Sequence, residues 1–315
     1  YIGSHMVRYL HRAGEDVVVF DNLSTGHAWS LKDVPLVVGD IRDAAAMDKI
    51  LADGAFDDVI HMCASSLVGE SVTDPYKYYD NNVAGTLSLL QSMRRHGVAK
   101  IVFSSTAAVF GIPQAEVIDE EHPTQPINPY GASKLMVERM LADAASAYGL
   151  KSVSLRYFNA AGADPEGGIG EAHEPETHLI PNVLRAALGK GEVKIFGDDY
   201  DTADGTCVRD YIHVNDLADA HLKAIHYMLK HDGAHRFNLG NGKGFSVREI
   251  IDAAINVCGK DIPIRLNERR PGDPATLIAS CGLAQRELGW RAKHQSIHEI
   301  IGTAWKWHRE YQLEF

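Results

Sequence analysis

The 315-residue chain has little of what marks several large protein classes. It has four cysteines, Cys63, Cys207, Cys258 and Cys281, widely separated and without a CxxC pair. That excludes a zinc ribbon, a redox dithiol and a disulfide scaffold, and it fits a reduced, cytoplasmic protein. No apolar stretch approaches the roughly 20 residues of a bilayer-spanning helix, since runs such as Val17 to Phe20 and Ile101 to Phe103 are strand-sized. No membrane partner is expected. Basic residues are in deficit, 31 Lys and Arg against 42 Asp and Glu, and the net charge of −11 argues against nucleic acid as a partner. Repeats and low-complexity tracts are lacking too. What remains is an ordinary globular balance, 45% hydrophobic and 23% charged, enough to bury a sizeable core.

Helical spacing over Ser4 to Ala13 stops at Gly14, and the β-branched run Val17-Val18-Val19-Phe20 follows and ends in Asp21. Strand-like runs recur at Pro35 to Val38, Val59 to Cys63, Ile101 to Ser105 and Ser152 to Tyr157, separated by helix-length segments around Ala44 to Asp53, Asn82 to His96 and Ser133 to Tyr148. Such alternation predicts βαβ units, hence an α/β fold with a Rossmann-like, doubly wound parallel sheet over residues 1–158. From Ala160 to Glu176 four glycines, two prolines and four glutamates interrupt the pattern. We therefore expect residues 159–315 to form mainly a smaller α/β substrate subdomain, with some segments returning to the sheet. Within it, Ser246-Val247-Arg248-Glu249 reads as a capping box opening a helix that runs to Gly259. Short strands are expected at Val193 to Phe196, Arg236 to Leu239 and Ile262 to Leu266.

Tyr1-Ile2-Gly3-Ser4 has the form of the end of a glycine-rich phosphate loop, where a helix N-terminus faces a diphosphate. Asp21 ends the second expected strand, where a carboxylate accepts from an adenosine ribose and repels a 2′-phosphate, which favours NAD over NADP. Tyr130 and Lys134 stand at i and i+4 on one helix face, so the ammonium is expected to lower the phenol's pKa and make it a base. Ser104-Ser105-Thr106 ends a strand at the sheet's carboxyl edge, where open α/β folds bind ligands.

The chain resembles the extended short-chain dehydrogenase/reductase family along its whole length. The resemblance is carried by Tyr1 to His5, Asp21 to Leu23, Gly39 to Arg42, Val68 to Ser71, Tyr78 to Val83, Asn128 to Gly131 with Lys134, Leu155 to Asn159, Val208 to Val214 and Arg269 to Asp273. It implies reversible 4-epimerisation of UDP-galactose and UDP-glucose, in which bound NAD takes and returns the hydride at C4 of the sugar. Tyr130 is then the base for the 4-hydroxyl, Lys134 tunes it, and Thr106 bonds the reacting oxygen. NAD would lie along Tyr1, Ile2, Gly3, Asp21, Asn22, Asp40, Ile41, Met62, Cys63, Ala64, Asn81, Ser104, Ser105, Tyr130, Lys134 and Tyr157. The UDP-sugar would meet Thr106, Asn159, His178, Leu179, Arg209, Tyr211, Arg270 and Asp273, with the two arginines as forks for the diphosphate. Relatives pair through helices matching Asn82 to His96 and Ser133 to Tyr148, which implies a homodimer. They also begin with a strand and a GxxGxxG loop whose last glycine matches Gly3, which implies about ten residues ahead of Tyr1.

Some positions depart from the family pattern. Ser66 stands where several relatives have a lysine on the cofactor diphosphate, His178 where others have asparagine, and Leu277 where a residue gates N-acetylated sugars. Acceptance of UDP-N-acetylglucosamine or UDP-pentoses therefore stays open. A 4,6-dehydratase needs a carboxyl pair after the strand-end threonine, but Ala107 and Ala108 stand there. A non-catalytic NAD sensor would not need the Tyr130 and Lys134 pair. The segment Glu171 to His178 carries two histidines and three carboxylates, but Pro175 breaks helical spacing and no metal is expected. Cys63 is expected to be a packing residue, since the motif shows no histidine partner. Trp305, Trp307, Tyr311 and Phe315 read as helix packing.

Overall fold

A computed structural model describes residues 1–270 and 273–314, the last three by backbone alone. Pro271, Gly272 and Phe315 lie outside the described residues. The helices are α1 (Ile2–Arg12), α2 (Ala44–Asp53), α3 (Val68–Thr73), α4 (Pro75–Tyr78), α5 (Gly85–Arg95), α6 (Pro129–Tyr148), α7 (Leu179–Ala187), α8 (Val214–Met228), α9 (Val247–Cys258) and α10 (Ile297–Glu314). The strands are β1 (Val19–Asp21), β2 (Leu36–Val38), β3 (Val59–His61), β4 (Lys100–Thr106), β5 (Val117–Ile118), β6 (Lys151–Tyr157), β7 (Asn159–Ala161), β8 (Val193–Phe196), β9 (Val208–His213), β10 (Ala234–Leu239), β11 (Gly244–Ser246), β12 (Ile264–Asn267) and β13 (Thr276–Ala279).

The β3, β4, β6 and β10 strands pair in parallel, in the order β10-β6-β4-β3, and β1 pairs in parallel with β2. β10 comes from the second half of the chain and closes the edge beside β6. On β4, Ile101 and Phe103 join Leu89, Leu90, Met93, Val137 and Leu141 of α5 and α6, while Val102 faces Leu217, Ala220 and Ala224 of α8. That period of two puts apolar groups on both faces, as a doubly covered parallel strand requires.

The second layer is mixed. β9 pairs with β7 and β13 in parallel and with β11 antiparallel, and β8 pairs with β12. Its core gathers α7, α9 and α10 around Ile180, Val183, Ile250, Ile251, Ile300 and Ile301. The α9 capping box is formed, with Ser246 Oγ accepting from Glu249 N and Glu249 Oε2 accepting from Ser246 N. Gly259 ends the helix at φ 62°, a conformation that glycine takes without penalty.

The structure differs from the sequence reading in two helices. Residues 79–84 form a wide π-turn ahead of α5, not regular α-helix from residue 82. There Asn82 is buried, donating to Ser65 O and Ser133 Oγ, and such widened turns accompany function. α6 also starts four residues earlier than its apolar spacing suggests, because Asn128 Oδ1 caps Gly131 N and Pro129 suits the first turn.

Candidate active site

The carboxyl end of β4 and the first turn of α6 meet at one point. Gly131 makes this possible: a Cβ there would stand 2.4 Å from the Ala108 carbonyl oxygen, so only glycine lets the helix approach the turn after β4. Tyr130 and Lys134 are thereby brought beside Thr106, and all three line one cleft of about 1630 Å³. The Thr106 hydroxyl bonds the Tyr130 phenol and also accepts from Ala108 N at 3.2 Å. Lys134 Nζ donates to Ser104 O at 2.7 Å and lies 5.9 Å from the Tyr130 ring centre.

The electrostatics correct one expectation. Burial pushes the Tyr130 phenol above its ordinary pKa, and only the Thr106 hydroxyl pulls it back. Burial also draws Lys134 down to about 8. Helical spacing anticipated the charge but not the desolvation, which acts on both groups.

Behind this edge lies a support that the sequence reading missed. Glu138 is one turn beyond Lys134 on α6; it accepts from Arg156 Nε at 2.9 Å and from Arg156 Nη2 at 2.6 Å, and the pair is buried. Ser105 Oγ donates to the same carboxylate at 2.6 Å. Ser105 therefore does not line the cleft as expected; it ties β4 to α6 from behind. The i, i+4, i+8 series Tyr130, Lys134, Glu138 is the signal that could have found it.

The cleft is lined by Tyr1, Ile2, Gly3, Asp21, Asn22, Asp40, Ile41, Met62, Cys63, Ala64, Asn81, Ser104, Tyr157, Asn159, His178, Leu179 and Tyr211. These groups fit a dinucleotide. The N-terminal turn of α1 carries no acidic side chain, Asp21 sits at the end of β1, and Lys134 lines the same cleft. Asp40 is engaged by Arg42 and Asn22, which hold its carboxyl well below the usual range. The Tyr157 hydroxyl contacts Ser104 Oγ.

His61 Nδ1 lies 3.7 Å from Cys63 Sγ, a histidine partner that the motif did not reveal. Burial nevertheless raises Cys63 to about 12 and lowers His61 to about 3, so both are neutral and the thiol is a packing group.

Arg209, Arg270 and Asp273 are not brought onto the described wall of the cleft. Arg209 pairs with Asp273, and the Arg270 guanidinium lies 3.9 Å over the Phe196 ring centre. Leu277 packs beside Val109, Phe110 and Ile118.

Residues 1–240 match the sequence model of the NAD dependent epimerase/dehydratase family. The chain belongs to this family. Within it, the chain is 55% identical over 312 residues to a UDP-glucose 4-epimerase of Halalkalibacterium halodurans, covering 99% of this chain and 93% of that one. It superposes with a TM-score of 0.95 on a UDP-glucose 4-epimerase of Brucella ovis in complex with NAD, at 47% identity over 97% of this chain and 94% of that one. For a UDP-glucose 4-epimerase of Bifidobacterium longum in complex with NAD+ and UDP, the TM-score is 0.94 at 41% identity, over 100% and 97% of the two chains. The α/β architecture of this epimerase/dehydratase chain is thus that of its solved relatives.

Proposed function

We propose that this chain is an isomerase that interconverts UDP-galactose and UDP-glucose with bound NAD, through a 4-keto sugar. The observation that carries the reading is the meeting of Thr106, Tyr130 and Lys134 in one cleft, in a chain so similar to UDP-glucose 4-epimerases. The cleft-lining residues from Tyr1 to Tyr157 would hold the cofactor, which when bound would supply the acceptor and donor for the C4 hydride. Tyr130, once ionised with the Lys134 ammonium beside it, takes the proton of the 4-hydroxyl as the ketone forms and returns it as the alcohol re-forms. Thr106 orients the same oxygen, and Lys134 sets the charge beside it.

A ketone that is reduced from either face must turn in the site, so the nucleotide end carries the binding and the sugar is held loosely. Asn159, His178, Leu179 and Tyr211 offer the near contacts. Arg209 and Arg270 offer guanidinium forks to the diphosphate, and Arg209 exchanges its bond to Asp273 for phosphate oxygens. Against the dehydratase reading, Ala107 and Ala108 form the turn after Thr106 and supply no carboxyl. Exposed Leu87 on α5 and Met136 on α6 support pairing of two copies through these helices. The four free cysteines support a reducing, cytoplasmic setting. Among the described residues no helix is long and apolar enough to cross a membrane.

The test is conversion of UDP-galactose to UDP-glucose with no NAD added, followed by chromatography of the two nucleotides, for the wild type and Tyr130→Phe. Turnover that disappears in Tyr130→Phe supports the assignment. No turnover, even with NAD supplied, overturns the substrate and directs attention to N-acetylated and pentose nucleotides.

A further inference from the structure

The loop between β7 and α7 folds four ligand-type groups into one cluster: Glu171, His173, Glu176 and His178 each turn one donor atom inward, and these atoms lie within 4.8 Å of one another. His173 Nδ1 is 3.1 Å from Glu171 Oε1 and 3.9 Å from Glu176 Oε1, while His178 Nδ1 touches Glu171 and is 4.0 Å from Glu176 Oε1. A tetrahedral zinc ion with bonds of about 2.0 Å separates its ligand atoms by about 3.3 Å, so movements of a few tenths of an ångström to about 1 Å complete the shell.

The surroundings are built to hold these groups. Both carboxylates are buried, with side-chain exposures of 4% for Glu171 and 3% for Glu176. Among the described residues neither pairs with a lysine or arginine. Two buried carboxylates side by side are costly unless a cation neutralises them. Glu176 Oε1 accepts from Thr177 N and His178 N, both at 2.8 Å, which fixes its direction. The loop is pinned on α10, where Trp307 Nε1 donates to Glu171 O at 3.0 Å, and on the other side His27 bonds Ala172 O at 3.0 Å. Pro175 rules out helical ligand spacing, but an irregular loop brings the same atoms together by another route.

We infer that Glu171, His173, Glu176 and His178 form a binding site for a divalent ion of the zinc class, with one ligand atom from each. Four protein ligands close the coordination, which makes the ion structural: it fastens the loop at the entry to α7. His178 gives Nδ1 to the cluster and also lines the cleft.

The test uses untagged protein freed of metal with a chelator. Cobalt(II) is added while visible absorption is followed, and zinc is then titrated by calorimetry. The expected result is one equivalent of zinc, an intense tetrahedral cobalt band, and slower proteolysis within residues 160–178 once the ion is bound. His173→Gln and His173→Gln/His178→Gln should each weaken binding at least tenfold, whereas His11→Gln should not. If Glu171→Gln fails to fold, Glu176→Gln serves as the carboxylate variant. Absence of stoichiometric binding, or binding unchanged in the His173 and His178 variants, overturns the site and leaves a cluster of shared protons.

Discussion

At the end of β4, Thr106, Tyr130 and Lys134 rest on regular elements: a capped helix, a glycine contact and a buried ion pair between Glu138 and Arg156, whose side chains are 2% and 1% exposed. In the second layer, Arg209 pairs with Asp273, at 14% and 25% exposure, and donates to the Val208 carbonyl at 2.7 Å. The groups proposed to react are thus placed before any ligand arrives, as proton transfer, which tolerates little displacement, requires. The groups proposed to meet the nucleotide are kept in a pair that a diphosphate could replace.

Tyr130→Phe is the largest break in this comparison. It removes the proposed proton acceptor and leaves the hydrophobic contacts, so kcat should fall by about 10² to 10⁴, measured in steady state, with KM little changed. Next is Glu138→Gln, which leaves Arg156 buried without its counter-charge. Chemical denaturation should show a loss of about 3 to 5 kcal/mol, and Arg156→Met in the same chain should recover part of it. Gly131→Ala, which forces a Cβ against the Ala108 carbonyl, should cost about 1 to 3 kcal/mol and lower kcat more than it raises KM. Arg209→Gln should sharpen the contrast from the other side, raising KM for UDP-galactose about tenfold while kcat stays within about twofold.

Acid separates the layers less. His61 in the first layer and His213 in the second are both lowered to about 3 by burial, and His308 to about 4. Unfolded, these groups bind protons near pH 6.5, so the unfolded state takes up more protons at lower pH. Their stabilising contribution is complete above pH 6.5 and is lost progressively as pH falls toward 4 and below. Tm should therefore be flat from pH 8 to 7 and drop by about 5 to 10 °C by pH 5, in a single transition if the layers unfold together.

Much of this was legible in the residues. The alternating strands and helices, the capping box at Ser246, Asp21 at a strand end and the Tyr130 and Lys134 spacing are local patterns, and local patterns survive folding. What was not legible is long-range or environmental. Glu138 and Arg156 sit on different elements, and Arg209 meets Asp273 across 64 residues. The upward push on Tyr130 comes from burial, which helical spacing does not encode. The convergence of Glu171 and His178 depends on a loop path that Pro175 only seemed to forbid.

The central claim is that Thr106, Tyr130 and Lys134 carry the chemistry while Arg209 and its neighbours carry the nucleotide. Its most direct test is a side-by-side determination of kcat and KM for UDP-galactose in wild type, Tyr130→Phe and Arg209→Gln. The account predicts that the first variant loses kcat at nearly constant KM and that the second raises KM at nearly constant kcat. Turnover retained in Tyr130→Phe, or a kcat loss in Arg209→Gln as large as that in Tyr130→Phe, would contradict it.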